Sequence, residues 1–246
     1  MRGPATGEAG KPVPILVHLA ELRKRLLKSV IAVAIATVLA FVFYHQIFDI
    51  LLYPAGEIDL IFVEMTEMVG TIFRVCLVAG IMLAIPYLTY EFIMFVSPAL
   101  TPREKRYVYL ILPWIAAMFA AGVVFGYFIL IPPAIKFFLG FGGDIADAQI
   151  RIGNYIPMVT RMLLVTGFVF ELPVLTTFLA RIGVVSGNWL ASKRKIVIVG
   201  AFLLAAILTP PDVLTQILLG VPLIALYELS IWLARLVGKK RQSAQA

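Results

Sequence analysis

The chain has 246 residues, of which 61% are hydrophobic and 14% are charged. Soluble domains carry charge on roughly a quarter of their residues, so the composition excludes an ordinary soluble domain and indicates a polytopic helical membrane protein. The net charge of +7 does not indicate nucleic-acid binding, because the cations cluster at the ends of apolar segments, as membrane orientation requires. A single cysteine, Cys76, and two distant histidines predict neither a disulfide framework nor a metal site.

The first predicted element is a charged helix, HLAELRKRLLK at 18–28, which continues without a break into a first apolar span at about Leu26–Tyr44. Apolar positions recur in it at helical spacing. Glu21 precedes Arg25 by four residues, the favourable order for an ion pair along a helix. We expect residues 1–14 to form a flexible cytoplasmic tail. The span should be retained, since no small-residue cleavage site follows it.

Three further spans are predicted before residue 180. An acidic connection with a short surface helix at Ile47–Leu52 leads to the second span, at about Met68–Val96. The third span is expected at about Tyr107–Ile131, closed by Pro132 and Pro133. The fourth is expected at about Ile156–Leu179, with Pro157 in its first turn, where proline is tolerated.

The last two spans are predicted to be short. Ile196–Leu208 holds thirteen residues without a charge, which reach only roughly 20 Å against about 30 Å of hydrocarbon. A Thr-Pro-Pro-Asp turn follows, and Val213–Tyr227 is apolar until Glu228. Two short neighbouring helices would make the bundle thinner on that side.

The distribution of cations predicts the orientation. Of the 21 Lys and Arg residues, 17 flank the spans on one side, and only Lys136 and Arg151 lie on the other. Because cytoplasmic loops carry the excess of cations, we predict an all-α protein with six transmembrane helices and both termini in the cytoplasm. The transmembrane domain covers 15–237, and residues 238–246 form a basic cytoplasmic tail.

The sequence contains no glycine-rich phosphate loop, no metal-ligand cluster and no nucleophile–base pair, so we expect no enzymatic activity. Three acidic residues on the predicted cytoplasmic side remain to be explained. Glu21 is either the partner of Arg25 on a solvated surface or a docking carboxylate for a cationic ligand. Glu104 completes a capping box that begins at Thr101, or it faces a partner. Glu91 would add negative charge beside Glu104.

Glu171 lies well inside the fourth predicted span. A carboxylate at that depth costs at least a few kcal/mol unless it is paired, protonated or wetted. Either it forms a buried pair with Arg161 or Arg74, or it serves a function beside a water-filled cavity. The intramembrane position favours a function. Asp212, after the Thr-Pro-Pro turn, would cap the sixth span.

Five segments of the chain carry a family resemblance. They are HLAELRKRLL at 18–27, FVSPAL at 95–100 followed by Glu104-Lys105-Arg106, FGYF at 125–128, FELP at 170–173 and LTPPDVLTQ at 208–216. In this order the chain resembles TatC, the six-span receptor subunit of the twin-arginine protein translocase, from His18 to Leu236. The resemblance implies a concave bundle in the cytoplasmic (inner) membrane.

The resemblance also implies a function. The protein would bind the twin-arginine signal peptides of folded precursors and assemble with the single-span subunits TatB and TatA and with other copies of itself. Transport would use the proton-motive force and no cofactor. Glu21 and Glu104 would contact the arginine pair, Arg23 and Arg25 would orient these carboxylates, and Glu171 would line the concave membrane face. Structural or partner contacts are expected at Phe95, Tyr127, Asp212, Gln216 and Pro54.

Two other functions remain open from the residues alone. Glu171 would suit a proton-coupled secondary transporter of a small solute, although such a transporter would also need discontinuous helices or an internal repeat. We find no convincing repeat between the halves of the chain. The remaining alternative is a passive scaffold for other membrane proteins.

Overall fold

The computed structural model of the protein describes residues 15–56, 60–96, 102–140, 149–208 and 213–243, with side chains for 19–56, 60–95, 109–140, 149–207 and 213–238. Most of this backbone is helical, because a helix bonds its own N–H and C=O groups where no water is available. The elements are α1 (Ile15–Val42), α2 (Tyr44–Leu52), a 3₁₀ turn (Tyr53–Ala55), β1 (Leu60–Ile61), α3 (Glu67–Val96), α4 (Pro102–Phe125), a π-helical turn (Gly126–Leu130), α5 (Ile131–Gly140), β2 (Ile150–Arg151), α6 (Ile152–Ile182), α7 (Gly187–Ser192), α8 (Arg194–Leu208) and α9 (Val213–Ser243).

Within the described residues, five helical segments are long and apolar enough to cross a membrane. The remaining long element, α8, has 15 residues and reaches roughly 22 Å, less than the about 30 Å of a hydrocarbon core. The fifth predicted helix is therefore short, as expected. The five candidate spans are Leu19–Val42, Glu67–Phe95, Tyr109–Gly140, Ile152–Ile182 and Val213–Gly238.

The prediction of a short sixth helix is wrong, because α9 has 31 residues. Glu228, which was expected to end the apolar run, lies inside the helix. Its two carboxylate oxygens each lie 2.7 Å from a guanidinium nitrogen of Arg194 on α8. Glutamate is a good helix former, so the charge that ends the apolar run does not end the helix.

The predicted ends of the third and fourth spans are also wrong. The helical path continues through Pro132 and Pro133 as far as Gly140, with the π-helical turn directly before them. A π turn shifts the hydrogen-bonding pattern, and the two prolines follow it in the first turn of α5, where a missing N–H is tolerated. In the fourth span, α6 begins at Ile152, so Pro157 is its sixth residue and lies beyond the first turn.

Helix α6 lies at the centre of the bundle. It packs against α3, α4 and α9, while α1 packs against α3 and α8 against α9. Buried apolar side chains of α6, such as Ile156, Val159 and Met162, form the main core with residues of the π-helical turn, α5 and α9. The outer surface carries many exposed apolar side chains, far more than a soluble monomer exposes. The protein is thus a multi-pass helical membrane protein.

Helices α4 and α6 approach each other closely at Gly122. A Cβ atom on this residue would lie 2.5 Å from the carbonyl oxygen of Thr166 and 2.8 Å from the Cα of Gly167. Backbone atoms cannot move aside as a flexible side chain can. The absence of a side chain at this position therefore allows the two helices to pack.

We predict that Gly122→Ala destabilises the protein by about 1–3 kcal/mol, the usual cost of overpacking a well-packed interface. Thermal unfolding in detergent would measure the change. Gly70→Ala is the matched control, because nothing lies within 4 Å of a Cβ at that helical position. Equal melting temperatures for the two variants would contradict the close packing of α4 on α6.

Candidate functional site

An ion-pair network joins α1 to α3 at the end of the bundle that holds the start of α1 and the end of α3, here called the basic end. The guanidinium of Arg25 donates from Nε (3.0 Å) and Nη2 (2.7 Å) to Oε1 of Glu21. Its Nη1 donates to Oε2 of Glu91 at 2.7 Å. Arg25 therefore bridges a carboxylate on its own helix and one on the neighbouring helix.

Glu91 is the buried member of this network. Its side chain is 4% exposed, against 30% for Glu21 and 20% for Arg25. Oε1 of Glu91 accepts a hydrogen bond from the Tyr87 hydroxyl at 2.8 Å, one helical turn away, and lies 3.9 Å from Nζ of Lys28. Each oxygen of Glu91 thus has a charged or hydrogen-bonding neighbour, as a buried carboxylate requires.

The chemistry of the network is that of a guanidinium group shared between carboxylates. A guanidinium carries five N–H donors in a planar fork, so it can bind more than one carboxylate at once. Arg25 is held in this manner, with three of its nitrogens donating. Glu21 and Glu91 thus bind one guanidinium group of the protein itself.

The other predicted residues of this surface are described less fully. Arg23 is exposed, and no ion pair that the structure describes includes it. Helix α4 begins at Pro102 as predicted, which places Glu104 in its first turn. The side chain of Glu104 and its proposed cap, Thr101, lie outside the described residues.

Glu171 is buried between α3 and α6, with 1% of its surface exposed. Its Oε2 accepts a hydrogen bond from the Thr89 hydroxyl at 3.0 Å, while its Oε1 is buried without a hydrogen-bond partner among the described groups. Arg74 and Arg161 are both exposed, and neither forms an ion pair with Glu171 among the described contacts, so the alternative of a buried pair is not supported. In this structure the carboxyl group lies inside the bundle, not on an open concave face.

The residues predicted as structural or partner contacts fall at different places. The Tyr127 hydroxyl donates to the carbonyl of Ile50 at 2.7 Å, and the Gln216 side chain on α9 donates to the carbonyl of Phe202 on α8 at 3.0 Å. Pro54 lies in the 3₁₀ turn after α2. Phe95 is half-buried near the end of α3. Asp212 lies outside the described residues.

A second polar cluster joins the connections at the opposite end of the bundle. Oε2 of Glu67 accepts hydrogen bonds from Arg151 Nη2 (2.9 Å) and from the backbone N–H of Val63 (3.0 Å), and Oε1 accepts from the N–H of Gly153 (3.0 Å). The hydrogen bond and the negative charge of Glu67 raise the pKa of the Arg151 guanidinium above its ordinary value. Arg151 therefore stays charged at every physiological pH.

The short strands beside this cluster pair in parallel, with Leu60 opposite Ile150 and Ile61 opposite Arg151. The nearby Tyr155 hydroxyl donates to the carbonyl of Leu51 at 3.0 Å. Together with Tyr127, it satisfies carbonyl groups at the end of α2, which have no partners within the helix itself. These contacts hold the connection between α1 and α3 on the bundle.

Sequence reasoning missed the partners of both clusters. It placed Glu91 beside Glu104 and left Tyr87 and Thr89 unassigned, and it saw Glu67 and Arg151 only as loop charges. A local signal exists for part of the network, since Tyr87 and Glu91 are four residues apart and share a helix face. No spacing signal links Arg25 to Glu91 or Glu67 to Arg151, since each pair joins distant parts of the chain.

Comparisons with known proteins agree with this architecture. Residues 17–222 match the family described as Sec-independent protein translocase protein (TatC). The chain is 46% identical to the TatC protein of Desulforapulum autotrophicum, covering 94% of this chain and 87% of that one. It is 38% identical to the TatC protein of Aquifex aeolicus over 95% and 99% of the two chains. These relatives do not favour the alternative of a small-solute transporter.

A solved structure is also similar to this fold. The crystal structure of a twin-arginine translocase receptor, TatC, superposes with a TM-score of 0.80 at 38% identity, covering 89% of this chain and 99% of that one. The crystal structure of a twin-arginine translocase receptor TatC in the detergent DDM gives a TM-score of 0.82 at the same identity and coverage.

We predict that Glu67→Gln lowers the melting temperature of the protein in detergent. The amide cannot match the charge-assisted hydrogen bonds that Arg151 and two backbone N–H groups give to the carboxylate. Glu64→Gln is the control, because Glu64 is 69% exposed and lies 3.6 Å from Arg151. If the two variants unfold at the same temperature, the Glu67 cluster does not stabilise this end of the bundle.

Proposed function

The chain belongs to the TatC family of Sec-independent protein translocase proteins, and from this premise we propose that its basic end receives twin-arginine signal peptides. The protein is a membrane-embedded subunit of the Sec-independent twin-arginine translocase. The finer proposal is that Glu21 and Glu104 bind the two arginines of the signal peptide. Arg25, and in a lesser way Arg23, orient these carboxylates.

One observation carries the proposal: the basic end already binds a guanidinium. Arg25 is held by Glu21 and Glu91 through three hydrogen bonds between 2.7 and 3.0 Å. All three end on only two oxygens, Oε1 of Glu21 and Oε2 of Glu91. Glu21 is still 30% exposed, so a peptide lying along the membrane surface can reach it.

The same chemistry accounts for a preference for arginine over lysine. A guanidinium is planar and can bind a carboxylate through two parallel N–H groups, whereas an ammonium is a compact point charge. Two carboxylates that frame one groove would therefore select an Arg-Arg pair over a Lys-Lys pair. The preference requires that Glu21 and Glu104 face the same groove.

The proposal extends to the position of the protein in the membrane. The excess of cations on one side supports six transmembrane helices with both termini in the cytoplasm. The membrane would be the cytoplasmic (inner) membrane. The basic end then faces the cytoplasm, where precursors arrive. The partners would be folded precursors, the TatA and TatB subunits and other copies of this chain, and the energy source would be the proton-motive force.

Glu171 is proposed to act in transport and not in signal-peptide binding. It is buried on α6 and held by Thr89 of α3, and no described ion pair or hydrogen bond joins it to Glu21, Arg25 or Glu91. A buried carboxyl group with one unbonded oxygen has capacity for a further donor. A partner helix or a passing segment of the precursor would supply that donor when α3 and α6 separate.

We predict that the purified chain in lipid nanodiscs binds a twin-arginine signal peptide and that exchange of the two arginines for lysine weakens binding by at least about tenfold. Glu21→Gln and Glu104→Gln should each weaken binding of the arginine peptide, because each removes a charge that the guanidinium pairs with. Glutamine still satisfies the capping box at Glu104, so folding should survive. Fluorescence anisotropy with a labelled peptide would measure the affinities.

Glu228→Gln is the matched control for this experiment, since Glu228, like Glu21, is a solvent-accessible carboxylate paired with an arginine, but on α9 and not on the proposed surface. Its affinity should stay at the wild-type value. Equal affinity of the unaltered chain for the Arg-Arg and Lys-Lys peptides would overturn the proposed function. Unchanged binding by Glu104→Gln alone would reduce that residue to a helix cap.

We predict that Glu171→Leu leaves peptide binding intact and impairs export of a folded precursor. The apolar side chain fits a site that is 1% exposed but cannot accept a hydrogen bond. Export into inverted membrane vesicles would be measured beside peptide affinity. Thr89→Val is the companion variant, which removes the hydroxyl donor and keeps the carboxyl group. Wild-type export by Glu171→Leu would exclude a role for this carboxyl group in transport.

A further inference from the structure

We propose that Glu91 is a positioning residue of the signal-peptide surface, which keeps Glu21 from being neutralised by its own helix neighbour Arg25. The inference rests on the proposed function, because it concerns how Glu21 retains charge for a peptide arginine. It adds a residue on α3 to a surface otherwise assigned to α1 and α4. It also gives Arg25 a defined role as the group shared between two carboxylates.

The first observation is that Arg25 pairs with two carboxylates, one of them on another helix. An exposed Glu and Arg four residues apart on one helix form an ion pair without help from elsewhere. Such a pair is neutral, and a neutral pair attracts an incoming guanidinium weakly. In this protein the same guanidinium also donates from Nη1 to Glu91 at 2.7 Å, so its charge is divided between two acids.

The second observation is the charge of the cluster formed by Glu21, Glu91 and Arg25. Glu21 and Glu91 contribute two negative charges, and Arg25 contributes one positive charge. A further cation, Lys28, lies 3.9 Å from Glu91 and is 51% exposed, so it forms a weaker ion pair with Glu91 than the guanidinium of Arg25 does. Because Glu91 takes part of the charge of Arg25, Glu21 is incompletely neutralised by its helix neighbour, and a peptide arginine would complete its pairing. Both hydrogen bonds from Arg25 to Glu21 end on Oε1, and no described residue donates to Oε2.

The third observation is the difference in burial among Glu21, Arg25 and Glu91. Glu91 is 4% exposed and the side chain of Glu21 is 30% exposed, so a peptide meets Glu21 first and cannot reach Glu91 directly. Glu91 therefore acts through Arg25. The Tyr87 hydroxyl at 2.8 Å fixes the carboxylate of Glu91, so this divided arrangement is maintained before any peptide arrives.

The test is a charge-compensation cycle measured with the same labelled twin-arginine peptide. Glu91→Gln keeps hydrogen-bonding groups at this position but removes the charge, so Arg25 neutralises Glu21 and the affinity should fall about tenfold. The double variant Arg25→Gln with Glu91→Gln also removes the guanidinium that neutralises Glu21, so it should bind the peptide about threefold more tightly than Glu91→Gln. It should stay below the wild-type affinity, because Arg25 no longer orients Glu21.

If Glu91 has only a structural role, the opposite order of peptide affinities is expected. If the Arg25–Glu91 pair only fastens α1 to α3, the double variant binds as weakly as Glu91→Gln or more weakly, and that result would overturn the inference. The salt dependence of binding provides a second readout. Its slope should become shallower in Glu91→Gln and recover in the double variant, because it follows the net charge at the site.

Two controls separate this inference from the proposed function and from misfolding. Glu91→Asp keeps the charge, so it should bind the peptide more tightly than Glu91→Gln when both variants show the wild-type melting temperature. Equal loss in both would contradict the inference. If Glu21→Gln binds normally, the proposed function itself fails. If Glu21→Gln loses binding and Glu91→Gln does not, only the role of Glu91 fails.

Discussion

The ion pair between Arg25 and Glu91 joins α1 to α3 at the basic end of the bundle. Helix α1 is the least enclosed of the candidate spans, with 6% of its most apolar window buried, and it packs mainly against α3. Two contacts define that packing. A Cβ at Gly80 would lie 2.6 Å from the backbone nitrogen of Thr37, so the helices touch backbone to backbone there, and the ion pair sets their rotation near the basic end. Removing Arg25 alone would leave Glu91 buried without its main partner, which costs about 3–5 kcal/mol in comparable cases.

Polar side chains within the spans serve two different purposes in this bundle. Tyr155 donates to a backbone carbonyl at the end of α2, and Gln216 of α9 places its own amide on the carbonyl of Phe202 of α8. These groups complete hydrogen bonding where water is scarce, as a lipid environment demands. Glu91 and Glu171 are different, because a carboxyl group in such a place has a cost that a hydroxyl or an amide does not. Their presence is explained by function more readily than by stability.

The parts of the structure that depend on local sequence were predictable. Long apolar runs indicated the helices, the i,i+4 spacing indicated the Glu21–Arg25 pair, and the proline at 102 marked the start of α4. Features that depend on distant partners were not. The charge of Glu228 suggested the end of a helix, but Arg194, from another helix, compensates it. Pro132 and Pro133 suggested an end as well, and the π-helical turn carries the helix past them. The link from Arg25 to Glu91 spans 66 residues, beyond any periodicity.

The cluster around Glu67 has a mechanical consequence for the whole molecule. It joins the start of α3, the start of α6 and both short strands through a single carboxylate, and two tyrosines fasten α2 beside it. Because the cluster joins α3 and α6 at one end, a change in their relative tilt would pivot about that end. Relative displacements of α3 and α6 would then be smallest at the Glu67 cluster and larger toward the basic end, where ion pairs join α1 to α3. A displacement caused by a peptide bound at the basic end would therefore decrease toward the Glu67 cluster.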